Sequence, residues 1–153
     1  MLQDAIIDAY RQFEERSWNK IYFAVDIHGT IANSDYTDVS SALFDVAKGP
    51  LREISKLPEV SIILFSCCYP RDYAKYIDLL ARNDVSVSYF NENPEVANTA
   101  TGCFDSKFYY NLIAEDKAGF RPWHWPSVRD TFMLARQFNK RVAELHSNKG
   151  STP

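Results

Sequence analysis

At 153 residues the chain is the size of one domain and long enough to bury a substantial core. Its 46% hydrophobic and 24% charged residues are those of an ordinary globule, and a net charge of −3 leaves no global basic field to argue for nucleic acid. Three cysteines (Cys67, Cys68 and Cys103) without C-x-x-C spacing argue against a zinc site and a disulfide framework, and for a reducing compartment. The first residues, MLQDAIIDAYRQF, are amphipathic and acidic, unlike a signal peptide. With no run long enough to span a membrane, the expected location is the cytoplasm.

Leu2, Ile6, Ala9, Tyr10 and Phe13 form a helical stripe over residues 2 to about 18. The apolar run Ile21 to Val25, stopped by Asp26, reads as a buried strand of a parallel sheet. Asn33 to Ser41 is polar and turn-rich, a loop expected at the mouth of a site. A helix is expected over 42–57, interrupted near Gly49-Pro50 because proline suits only a helix's first turn. Val60 to Phe65 is a second buried strand closed by Ser66. Pro70 to Asn83 predicts a helix with Tyr73, Tyr76, Ile77 and Leu80 on one face.

Val85 to Phe90 alternates as a third strand, and residues 91–105 lack periodicity, a length of loop that is unusual without a job. Tyr109 to Ala114 is a fourth strand ending at Glu115-Asp116. Trp123, His124 and Trp125 are either a base-stacking platform or, the reading favoured here, a cover for the core. Ser127 then caps a last helix to about His146. Residues 1–146 are thus one domain, and 147–153 a flexible tail. There is no internal repeat, low-complexity segment or linker.

Strands alternating with helices predict an α/β fold, a three-layer, doubly wound parallel sheet with right-handed crossovers. If the fourth strand lies beside the first and opposite the second, Asp26, Ser66 and Glu115-Asp116 meet at one topological switch point. Taken alone, Asp26 reads equally as a turn residue; the convergence favours a site. Facing carboxylates repel unless a cation sits between them, and hard oxygen ligands suit Mg²⁺. A carboxylate beside such an ion can attack phosphorus. Ser66 offers a hydroxyl to phosphoryl oxygens, and a lysine would balance their charge.

Asp26-Ile27-His28-Gly29-Thr30, with Ser66 and Glu115-Asp116 after two later strands, resembles the haloacid dehalogenase (HAD) superfamily over residues 20–119. That family's first motif is usually Asp-x-Asp-Gly-Thr. The resemblance implies a Rossmann-like core and a Mg²⁺-dependent phosphatase working through an aspartyl-phosphate at Asp26. Asp26, Glu115 and Asp116 would surround the metal. His28 would lend it a backbone carbonyl and serve as general acid/base, and Ser66 with a lysine would bind phosphate. His28 stands where the family usually has Asp. Histidine can do acid/base work near neutral pH, or it can simply order the turn in a protein of weak or lost catalysis. For the lysine, Lys107 has the family's order and Lys117 lies nearer by sequence. Neither gap between motifs has room for a cap domain. The expected substrate is therefore bulky or partner-enclosed: a nucleotide, a nucleic-acid end or another phosphorylated molecule. The alternative is a catalytically weak or inactive phosphate-binding module.

Overall fold

A computed structural model describes residues 1–33 and 42–149. The expected loop at residues 33–41 therefore lies, apart from Asn33, outside the described residues. Helix α1 (Leu2–Glu15) leads into β1 (Ile21–Asp26), α2 (Asp45–Ile54), β2 (Val60–Phe65), α3 (Tyr73–Ala81), β3 (Tyr89–Phe90), β4 (Leu112–Ala114) and α4 (Trp125–Lys149). The four strands form one all-parallel sheet in the order β3-β2-β1-β4. The chain reverses its direction of winding at β1, where β2 lies on one side and β4 on the other. The expected switch point is present.

The register sorts the side chains onto two unlike faces. Phe23 and Val25 align with Ile62 and Leu64 of β2 and with Leu112 and Ala114 of β4. This face is the main core, and the buried side chains of all four helices pack into it. Phe23 sits at its centre, 5.4 Å from the Phe132 ring and 6.2 Å from Trp125, while Tyr73 of α3 stacks on Phe90 at 3.7 Å.

The opposite face carries Tyr22, Ala24, Ile63, Phe65 and Tyr89, and residues 91–111 cover it. Tyr22 and Tyr89 both donate their hydroxyls to Glu95, at 2.9 and 2.7 Å. Phe108 packs on Phe65 and Tyr109 on Tyr22. Ala24 and Ile63 are fully buried beneath this cover. The expected third layer is thus a long loop rather than helices. That is the job of the unusually long connection.

Element boundaries differ from expectation where particular residues intervene. Pro50 lies inside α2 without interrupting it. The carbonyl it deprives of a helical donor belongs to Val46, which lies at the surface. Strand β3 is short because Asp84, with φ 57°, turns the chain and Val85 N–H bonds back to Leu80 of α3. Strand β4 starts late because the Asn111 side chain accepts the Tyr22 N–H in place of a backbone carbonyl. Helix α1 stops at Glu15 before Ser17, which has φ 51°. The helix after Pro70 begins as a 3₁₀ turn at Pro70–Asp72. Helix α4 starts at Trp125 and reaches Lys149, three residues past the expected end. Among the described residues no helix is long and apolar enough to cross a membrane.

Candidate active site

Strand β1 delivers Asp26 to the carboxyl edge of the sheet, and the next six residues fold back on it. Ile27 C=O accepts from Ile31 N–H at 3.0 Å and Ala32 N–H at 2.9 Å, and Gly29 N–H donates to Ala32 C=O at 2.8 Å. Gly29 is required twice over. Its φ is 77°, and a Cβ there would lie 2.8 Å from Asp116 Oδ2. Thr30 Oγ1 donates to Asp26 Oδ2 at 2.9 Å, and the fully buried Trp125 fixes the turn by donating Nε1–H to Thr30 C=O at 2.9 Å. The aromatic trio is thereby divided: Trp125 is core, whereas Trp123 is 69% exposed.

Strand β4 brings the other carboxylates. Asp26, Glu115 and Asp116 each offer an oxygen, and these atoms lie within 4.8 Å of one another. After Glu115 the chain turns through a 3₁₀ segment, Asp116–Ala118. Glu115 caps it by accepting Ala118 N–H at 3.1 Å, and Gly119 closes it with φ 90°. Arg121, which sequence reasoning did not single out, braces this turn by donating Nη1–H to the carbonyls of Asp116 (2.9 Å) and Phe120 (2.8 Å).

The electrostatics separate these acids. Burial pushes Asp26 up from 3.8 to about 6; Thr30 and the Ile27 N–H pull it down, and Glu115 and Asp116 push it further up. Asp116 is held below its ordinary value, chiefly by the hydrogen bond from the Lys117 ammonium. The chain alone therefore leaves Asp26 poorly compensated. Two oxygens on opposite sides of one Mg²⁺ stand about 4.2 Å apart, and the three carboxylates here each bring an oxygen within 4.8 Å of the others. By its chemistry the donor set suits a hard divalent cation, which Asp26, Glu115 and Asp116 could hold.

The β2–β3 side is neutral and internally paired. Asn91, in a left-handed conformation with φ 55°, accepts Ser66 N–H at 2.9 Å and donates to Ser66 C=O at 2.6 Å and Tyr73 OH at 2.9 Å. Ser66 Oγ accepts Cys68 N–H at 3.2 Å and lies 3.4 Å from His28 Nδ1. Nε2 of His28 lies 2.8 Å from Tyr76 OH. A neutral imidazole has one donor and one acceptor nitrogen, which suits two hydroxyl partners. Burial lowers the His28 pKa, and Asp116 raises it less. At 4% exposure the ring is a packed part of the wall, and its nitrogens stand outside the carboxylate cluster.

Of the two candidate lysines, Lys117 touches the cluster through Asp116. Lys107 places its ammonium 5.5 Å from the Tyr110 ring centre. The Phe108–Phe65 contact does carry that stretch toward the strand ends. Asn91 and Tyr76, which hold Ser66 and His28, are the neighbours of the candidate site that sequence reasoning missed. A polar residue directly after the third strand was the available signal for Asn91; none marked Tyr76 beyond its helical stripe. No protein-family model matches this chain, and neither does any curated protein or solved structure compared with it.

Proposed function

We propose that the chain is a Mg²⁺-dependent phosphomonoester hydrolase of the HAD type, with Asp26 as nucleophile. The observation that carries this reading is the meeting of Asp26, Glu115 and Asp116 within 4.8 Å at the switch point, beside Ser66. A bound Mg²⁺ would supply positive charge to the phosphoryl oxygens and keep Asp26 ionised. The Asp26 carboxylate attacks phosphorus as the bond to the leaving oxygen breaks, and that oxygen takes a proton from solvent water. Water then cleaves the acyl phosphate, releasing phosphate and restoring the carboxylate. Ser66, held by Asn91, donates its hydroxyl to a phosphoryl oxygen, and Lys117 balances charge at the rim. Thr30 orients Asp26 through its hydrogen bond. His28 contributes first by holding Ser66 and Tyr76 in place. It reaches a leaving oxygen only by giving up one of those contacts.

The test is release of phosphate from p-nitrophenyl phosphate, with EDTA abolishing turnover and Mg²⁺ restoring it. Undiminished turnover without metal would rule the reading out. A second reading, a phosphate-binding module without turnover, is favoured by the burial of His28 between two hydroxyls. A broad panel of phosphate esters and nucleotides separates the two. Intact Mg²⁺ binding with no hydrolysis on any member selects the module.

A further inference from the structure

A cavity of about 480 Å³ runs along the outer edge of β4, within the range of small-ligand sites. Leu2 and Ala5 of α1 form one wall, and Tyr110 and Ile113 another; Phe120 and His124 close it beyond the strand. Glu115 also lines it. The cavity therefore adjoins the carboxylate cluster through a shared residue, Glu115.

Among the described residues the sheet ends at β4, so outward-facing backbone groups of this strand have no strand partner there. Ile21 N–H bonds to Glu59 on the β2 side, so odd-numbered residues of β1 turn their backbone groups to β2 and even-numbered ones to β4. With Ala24 opposite Ile113, Leu112 and Ala114 then bond inward, and the N–H and C=O of Ile113 point out. A three-residue strand presents one donor and one acceptor here, too little for an added strand, which needs a ladder. It does match the donor–acceptor edge of a planar heteroaromatic ring. Tyr110, Phe120 and His124 supply aromatic surface for such a ring. From Ile113 to Glu115 is two residues, about 7 Å along a strand. That separation leaves room for a ribose between a base at Ile113 and a phosphate at the cluster.

We infer that this cavity is a base-binding subsite and that the phosphoester substrate is a nucleoside monophosphate, an inference that rests on the phosphatase reading above. The test reads the cavity without the chemistry. Metal-free protein is titrated by calorimetry with adenosine, guanosine, cytidine and uridine. At least one nucleoside is expected to bind with 1:1 stoichiometry. Ala5 is exposed on α1, so Ala5→Trp fills the cavity from the helix surface without touching the core, and should weaken that binding at least tenfold. Ile113→Pro deletes the outward N–H while leaving the inward bonds of the ladder, and should weaken it similarly. Absence of nucleoside binding in the wild type overturns the inference, as does binding that neither variant moves. If nucleosides bind but no phosphate ester is hydrolysed, the subsite stands, and the phosphatase reading falls together with the nucleotide as substrate.

Discussion

The two halves of the site are built on opposite principles. On the β2–β3 side the Ser66 backbone is paired with Asn91, its hydroxyl is paired in turn, and both His28 nitrogens have hydroxyl neighbours. On the β1–β4 side three carboxylates converge, and Asp26 is pushed up to about 6. The neutral half is complete as folded and holds its groups in place. The acidic half carries a cost in the bare chain that a cation would remove.

Breaking the acidic half should have the largest effect. Asp26→Asn should abolish phosphate release, a loss of roughly 10³-fold or more for a missing nucleophile, while circular dichroism stays native. Residual turnover near wild type would remove Asp26 from the chemistry.

The next effect is on stability against pH. Folded Asp26 titrates near 6 and its ordinary value is 3.8, so the folded state holds the proton more tightly. Its stabilising contribution is full below pH 4 and is lost as pH rises through 6. For metal-free protein this amounts to at most about 3 kcal/mol, at roughly 1.4 kcal/mol per pKa unit. Metal-free wild type should therefore melt lower at pH 7 than at pH 4.5, net of other groups, and Asp26→Asn should flatten that part of the curve. Mg²⁺ should raise the melting temperature at pH 7 and much less at pH 5. Identical pH profiles for wild type and Asp26→Asn would contradict the burial of an uncompensated charge.

Gly29 lies inside the acidic half, its turn packed between Asp26 and Asp116. Gly29→Ala must accommodate a left-handed φ and a 2.8 Å approach to Asp116 Oδ2. A cost of about 1–3 kcal/mol is expected, with Mg²⁺ affinity falling because Asp116 is displaced. Denaturant unfolding and calorimetry would show both. An unchanged affinity would mean that Asp116 is not held where the structure puts it.

The smallest effect on Mg²⁺ binding belongs to the neutral half. Asn91→Ala leaves the Ser66 N–H and C=O without their partners, at about 1–3 kcal/mol. Substrate binding should weaken while Mg²⁺ affinity stays as in wild type. Loss of Mg²⁺ affinity in this variant would show that the halves are not separable.

Much of this was legible in the sequence. Apolar runs ending in Asp26, Ser66 and Glu115-Asp116 are long-range signals, because strand burial and strand order together decide where their ends meet. The helical stripes were legible for the same reason, as period and burial agree. What was not legible depends on single tertiary contacts. No pattern says that Asn111 replaces a backbone group and delays β4, or that residues 91–111 take the place of a helical layer. The seat of His28 was hidden because its partners, Tyr76 and Ser66, are 48 and 38 residues away. Sequence placed the residue beside Asp26, and only the fold shows which way its ring is held.

The central claim is that Asp26, Glu115 and Asp116 together bind one divalent cation. It is tested most directly by calorimetric titration of Mg²⁺ into the protein at pH 7, with Asp116→Ala titrated alongside. The structure predicts one Mg²⁺ per chain for wild type and at least a tenfold loss of affinity when one of the shared carboxylates is removed. No Mg²⁺ binding by the wild type, or equal affinity in Asp116→Ala, would contradict it.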